Sequence, residues 1–291
     1  MSNSQRLKYR EKRYKCGKYL FVNIYPYVET IGRTNRKQRR AVSREAVRRI
    51  NQKNRENEVN RIICANFTGD DYYLTLTYKD ECTDRKQAFR DFENFIKRLN
   101  RLRKKRGLSA VKWIKIIEIG RRCGRIHIHC IITGGITPQE IAATWGKGYI
   151  DCKPLMFDNT GCKELARYLV KQAGGSESSA AKSADDQTAK TRSRSWTCSR
   201  SCTRPEPKTN NSKYSKRKVN EIADRARADD RRALDTLYNG YECTSAKSYY
   251  QDDFGLDYVY LIYRRKTEPS AKPRRTREYK TRSNYEKELL P

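Results

Sequence analysis

Two apolar runs separated by four residues constrain this chain more than any other feature. They are VKWIKIIEIG (111–120) and RIHIHCIITGG (125–135), joined by RRCG. Runs of this length around a short glycine-containing turn predict an antiparallel β-hairpin. If Gly120 pairs with Arg125 across the turn, Glu118 falls opposite His127; a bulge would shift that register. A third run, DYYLTLTYKD (71–80), alternates, with Leu74, Leu76 and Tyr78 on one face and Tyr73, Thr75 and Thr77 on the other. Between strands, TDRKQAFRDFENFIKRLNRLRKKRG (83–107) places Phe92, Phe95, Ile96 and Leu99 at helical spacing. Asp84 with Gln87 resembles a capping box there, and Gly107 closes the helix. TPQEIAATWG (137–146) carries Thr137 as N-cap, Pro138 at the first helical position, Glu140 completing a capping box and Gly146 at the end. A short strand over 148–152 and a helix over 161–175 follow. A charged helix over 216–237 and a late strand over 257–265 complete the pattern. Strands and helices mix around at least one antiparallel hairpin, so the expected fold class is α+β.

Charge selects partners rather than folds. Lys and Arg number 65 against 34 Asp and Glu, a net charge of +31. Long polyanions come first, because neutralising phosphates releases counterions. A ribosomal-type binder is the plainer alternative. Residues 1–61 hold eighteen Lys or Arg against five Asp or Glu and read as a basic N-terminal arm. Within it, residues 36–61 form a basic helix with Ala41, Val42, Ala46, Val47 and Ile50 on one side. Residues 62–265 form the expected main domain. It contains a flexible insertion over 174–195, where periodicity is lost, and 266–291 read as a disordered basic tail. Candidate DNA contacts are Arg39, Arg40, Arg48, Arg49, Arg121, Arg122, Arg125, Arg194 and Arg200. No apolar run reaches membrane-spanning length, and the N-terminus lacks an apolar signal core, so a cytoplasmic location is expected. Ten cysteines in that setting are expected to be reduced, and their spacings fit no common zinc pattern.

The chemistry concentrates on few residues. His127 and His129 are the only histidines, two apart on one strand and therefore on one face. Two imidazoles with the Glu118 carboxylate would leave positions for water or a phosphate oxygen, a set suited to Mn²⁺ or Mg²⁺. The plainer reading is a pair of hydrogen-bonded core histidines. In the helix LARYLVKQA the stripe is Leu165, Ala166, Leu169, Val170 and Ala173. Tyr168 lies off it, beside Glu164, Lys171 and Gln172. It is either a surface tyrosine or a nucleophile, and a phenol with a pKa of about ten needs help to attack phosphorus. Lys171, one turn on, would supply charge.

In order and spacing, YLTLTY (73–78), HIH (127–129) and YLVK (168–171) resemble the three motifs of the HUH endonuclease superfamily. Within it the chain is similar to single-tyrosine rolling-circle replication initiators of plasmids and phages. RSWTCSRSCTRPEPK (194–208) resembles the segment after their tyrosine helix. The resemblance covers residues 62–265. It implies a sheet of about five antiparallel strands with the histidines on a central strand. It implies Tyr168 as the nucleophile forming a 5′-phosphotyrosine and releasing a 3′-OH primer, assisted by Lys171. The metal would be held by His127, His129 and Glu118. Its partners would be single-stranded DNA at a replication origin, in a hairpin, and DNA polymerase. Lacking a GxxxxGK[ST] loop, the chain is expected to rely on a host or separately encoded helicase. With one tyrosine, a second cleavage needs another subunit, so a homo-oligomer is one expectation. Two alternatives stand beside this. Tyr168 and Gln172 also match the Y-x-x-x-Q spacing of IS200-type transposases, with Gln172 as third ligand. A non-catalytic nucleic-acid binder on the same fold is the other.

Overall fold

The computed structural model describes residues 6–29, 44–80, 82–120, 124–175, 196–251 and 255–266. The fold is α+β, built on two antiparallel five-stranded sheets. The histidine sheet contains β3 (Tyr72–Tyr78), β4 (Trp113–Ile119), β5 (Ile126–Ile132), β6 (Gly148–Pro154) and β7 (Thr197–Cys198), in the order β6-β3-β5-β4-β7. The histidine strand β5 is therefore central. Strand alternation splits the sheet into two packed faces. Leu74, Leu76, Ile117, Ile128 and Cys130 face α2 (Arg85–Lys105) and α3 (Pro138–Trp145). Ile114, Ile116 and Ile131 face α1 (Arg44–Asn66) and α4 (Lys163–Gly175).

Local chemistry explains the helix ends. Thr137 and Glu140 form the expected reciprocal capping box on α3, and Gly146 ends it at φ 62°. Asp84 does cap α2, accepting from the Lys86 N–H, but Gln87 does not close a box: its amide turns to Asp91. The buried stripe of α2 is Ala88, Phe92, Phe95, Ile96 and Leu99, as periodicity predicts.

The basic arm expected over 1–61 is largely something else. Residues 6–29 form a long hairpin, β1 (Arg6–Cys16) and β2 (Tyr19–Glu29), turned by Gly17 at φ 56°. They belong to the second sheet, with β8 (Lys208–Asn210), β9 (Tyr241–Gln251) and β10 (Leu256–Arg265), in the order β8-β1-β2-β10-β9. The late strand β10 thus pairs with the N-terminal hairpin and not with the histidine sheet. The boundary placed at 61/62 falls inside α1. Ala41 and Val42, and the side chains of Ala46 and Val47, lie outside the described residues, while Ile50 is exposed. The helix buries Val59, Ile62 and Ile63 instead, against α4 and the histidine sheet. The single helix expected over 216–237 breaks into α5 (Lys216–Arg227) and α6 (Arg231–Asp235). Asp229 adopts φ 52°, which ends α5, and Asp230 caps α6 by accepting from the Ala233 N–H. The insertion over 176–195 and the tail from 267 lie outside the described residues. Among the described residues no helix is long and apolar enough to cross a membrane.

A loop ties the two sheets together. The Tyr19 hydroxyl donates to the Asp158 carbonyl (2.8 Å) and that of Thr244 to the Asn159 carbonyl (2.6 Å). Asn60 of α1 donates to the Thr160 carbonyl and accepts from the Cys162 N–H, each at 2.8 Å. Gly161 allows this approach: at φ 87°, an added Cβ would meet Cys64 Sγ at 2.5 Å.

One residue of the core is out of character. Lys115 of β4 is 4% exposed, with its ammonium 4.3 Å from the Phe89 ring centroid and 4.4 Å from that of Phe92. Burial pushes its pKa down to about 8, partly opposed by Glu93. The ordinary value is about 10.4, so between these two values the unfolded chain binds the proton and the folded one does not. Stability from this group therefore rises with pH across that window, by at most about 3 kcal/mol. Lys115→Met should stabilise the protein near neutrality by up to about 1–3 kcal/mol and flatten that rise. Urea melts of both proteins at pH 7 and pH 9.5 would show it; a pH difference identical in the two would refute it.

Candidate active site

The β4–β5 hairpin forms in the expected register. The Gly120 N–H donates to the Arg125 carbonyl (2.7 Å), and Glu118 lies opposite His127. The carboxylate nevertheless reaches diagonally: Glu118 Oε2 lies 2.7 Å from Nε2 of His129. Cross-strand neighbours offset by two remain within reach of long side chains, so strand register and contact differ.

The neighbouring strand orients both rings. On β3, Thr75 pairs with His129 and Thr77 with His127. Thr77 Oγ1 lies 3.3 Å from His127 Nδ1, and Thr75 Oγ1 lies 3.2 Å from His129 Nδ1. The Tyr73 hydroxyl is 2.9 Å from the same His129 nitrogen, and its ring lies nearly parallel to the imidazole. Both Nδ1 atoms are thus engaged by hydroxyls, leaving the Nε2 side for other work, an arrangement typical of metal-binding histidines. Tyr73, Thr75 and Thr77 are site residues that the sequence reading placed on one face without a role. Their signal was present: three polar-tipped residues alternate on a strand adjacent to the histidines. Burial holds His129 below the ordinary histidine value although Glu118 acts the other way, which favours the neutral, ligating imidazole. Burial also raises the Tyr73 phenol, so it stays a hydroxyl.

The tyrosine helix arrives from the same side. Ala166, Leu169 and Val170 bury α4 against the sheet, and this turns Tyr168 outward, 41% exposed. Its ring stands edge-on to His129, with centroids 5.6 Å apart. Lys171 is exposed one turn on. The segment after the helix returns as β7 on the free edge of β4, where the Ser199 N–H donates to the Trp113 carbonyl.

The donor set was tested for a divalent ion. Among the described residues, no group of three or more His, Cys, Asp or Glu side chains is gathered closely enough to hold an ion as it stands. Glu118 and His129 already meet, and His127 stands on their face, with its outer nitrogen unoccupied by Thr77. Two neutral-type imidazoles and a carboxylate fit a divalent ion with open positions. The side chain of Gln172 lies outside the described residues.

The expected DNA contacts scatter. Arg48, Arg49, Arg125 and Arg200 are exposed, Arg125 at the end of the hairpin and Arg200 just after β7. Arg39, Arg40, Arg121, Arg122 and Arg194 lie outside the described residues. Among the cysteines, the nine described are free thiols. Hydrogen bonding from Cys202 holds the Cys198 thiol down to about 6, helped by Arg204.

No curated protein and no solved structure matches this chain. Residues 71–173 match the family model of the replication-associated protein ORF2. That span opens just before β3 and ends within α4, so it takes in β3 to β6 and the tyrosine helix and leaves out the second sheet. Over this span, which carries the histidines, Glu118 and Tyr168, the chain is similar to replication-associated proteins.

Proposed function

We propose that this protein initiates rolling-circle replication by nicking and rejoining single-stranded origin DNA in the cytoplasm. The observation that carries the reading is convergence: Tyr168 from α4 stands against His129, which itself meets Glu118. The similarity of residues 71–173 to replication-associated proteins supports the replication role.

In the reaction, the Tyr168 oxygen attacks a backbone phosphorus. A tyrosine O–P bond forms, the P–O3′ bond breaks, and the electron pair leaves on O3′, which takes up a proton to become a 3′-OH. The 5′-phosphate remains on Tyr168. The same energy-rich ester is later attacked by a 3′-OH, which rejoins the strand and frees the phenol. His127, His129 and Glu118 would hold Mn²⁺ or Mg²⁺, which when bound polarises the scissile phosphate. Thr75, Thr77 and Tyr73 fix the imidazole orientation. Burial keeps His129 unprotonated and able to ligate. Lys171, exposed on the Tyr168 side of the helix, would offset phosphate charge as the phenol attacks. Glu118 is favoured as third ligand over Gln172 because its carboxylate already meets His129. Strand separation would fall to a separate helicase and synthesis to a polymerase.

The test is covalent capture. The full chain is incubated with Mn²⁺ and a labelled set of single-stranded oligonucleotides tiling its replicon. A denaturation-resistant adduct mapped by mass spectrometry to Tyr168 is the expected result. An adduct on another residue, or none across the whole set, would overturn the reading.

A further inference from the structure

The second sheet has one face packed on α5 and α6 and another that is only half covered. On that second face Tyr14, Cys16, Tyr19, Phe21 and Ile262 pack with Cys64 and Ala65 of α1 and with Phe157. Further along the strands the covering stops. There Lys12, Asn23, Tyr260 and Lys247 stand side by side across β1, β2, β10 and β9. In the next row Arg10 pairs with Tyr25, and Tyr258 with Tyr249. Tyr249 is 51% exposed and Tyr260 38%, with their ring centroids 5.7 Å apart. Cations sit among the rings: the Arg10 guanidinium lies 3.7 Å over Tyr27, and Lys53 of α1 reaches within 5.6 Å of Tyr249. Among the described residues, these two rows hold no Asp or Glu.

We propose that this open half of the second sheet is a docking platform for single-stranded nucleic acid, where bases stack on Tyr249 and Tyr260 while Arg10, Lys12 and Lys247 follow the phosphates. Basic groups interleaved with exposed rings on a sheet are what an unpaired strand needs, since every base has a face to stack. A duplex presents phosphates and groove edges but keeps its base faces stacked inside, so the rings would be left unused. A second copy of the chain fits poorly. A two-fold contact would set Arg10, Lys12 and Lys247 against their own equivalents.

The platform also leads somewhere. Lys247, at its edge, is close enough to Lys163 at the start of α4 for their charges to repel, which together with burial lowers the Lys163 ammonium. Tyr168 lies five residues further along that helix, about 7.5 Å of axial rise. A strand lying across the rings and past Lys247 would be aimed at the site. The inference does not require Tyr168 to be a nucleophile, because binding is read without divalent ion and without cleavage.

The probe is a labelled oligo(dT) of about twenty nucleotides, titrated by anisotropy against the full chain at several salt concentrations. The double variant Tyr249→Leu with Tyr260→Leu should lose about tenfold or more in affinity, while Tyr249→Phe with Tyr260→Phe stays within about twofold. A second variant, Lys12→Gln with Lys247→Gln, should make the slope of log affinity against log salt shallower by about 1.4, two phosphate contacts' worth. Circular dichroism melts confirm that each variant is folded. Unchanged oligo(dT) binding in both the leucine and glutamine variants would overturn the proposal. So would an equal loss on a duplex of the same length, which would leave only a general positive field. A dimeric wild type that sediments as a monomer after the leucine changes would assign the face to self-association instead.

Discussion

Tyr168→Phe should abolish the covalent DNA adduct and lower origin nicking by more than about a thousandfold, since no other group then supplies the nucleophile. The change removes one oxygen. The ring keeps its edge-on contact with His129, whose centroid lies 5.6 Å away, and α4 keeps its buried Ala166, Leu169 and Val170. Folding should therefore be unaffected, and so should oligo(dT) binding on the second sheet. Nicking and binding are thereby separable, measured by denaturing gels and by anisotropy on the same preparation. Retained nicking in the phenylalanine variant would place the nucleophile elsewhere. The companion change Glu118→Gln removes the charge that meets His129 Nε2 at 2.7 Å while keeping the side-chain shape. It should weaken Mn²⁺ dependence without removing the phenol.

The second large effect concerns stability. Glu11→Ala should destabilise the fold by about 3–5 kcal/mol, the usual consequence of removing one partner from a buried ion pair. Glu11 lies on the inner face of β1 and is fully buried. It meets Lys213 at 2.8 Å and Arg13 at 2.9 Å, and it accepts a hydrogen bond from the buried Tyr238 hydroxyl. Without the carboxylate, the Tyr238 hydroxyl loses that acceptor and Lys213 is left against the Tyr214 and Tyr238 rings without its counter-charge. Glu11→Gln keeps an acceptor for Tyr238 and should lie between wild type and alanine. Urea denaturation of the three proteins checks the order; equal midpoints would show that the pair contributes nothing net.

The same residue shows why the second sheet was hard to read from sequence. RLKYREKRYKC has no apolar alternation, because charged residues occupy both faces of β1: Lys8, Arg10 and Lys12 outward, Glu11 and Arg13 inward. A run of that composition looks like a solvated arm until its partners are known. The inward charges are compensated by Lys213 and Tyr238, some two hundred residues away, which no local pattern reports. A signal did exist in YLFVNIYPYVE after the Gly17 turn, where Leu20, Val22 and Ile24 alternate inward.

What the chain's own order of residues determined is what depends on near neighbours. A four-residue turn leaves little freedom in how its flanking strands pair, so the Glu118–His127 register followed from spacing alone. Capping chemistry acts within one helical turn, so the ends of α3 were legible. Helical periodicity put Tyr168 off the buried stripe, and strand periodicity put both histidines on one face. Only the tertiary structure decided the rest. It turned Glu118 diagonally to His129, brought Tyr73, Thr75 and Thr77 across from β3, and set Tyr168 against the imidazole. It also joined the first strands to the last through Val22 and Leu261, leaving a tyrosine-rich face open. Backbone hydrogen bonds are the same for every strand, so which strands pair is settled by how whole surfaces fit, and that information is spread over the entire chain.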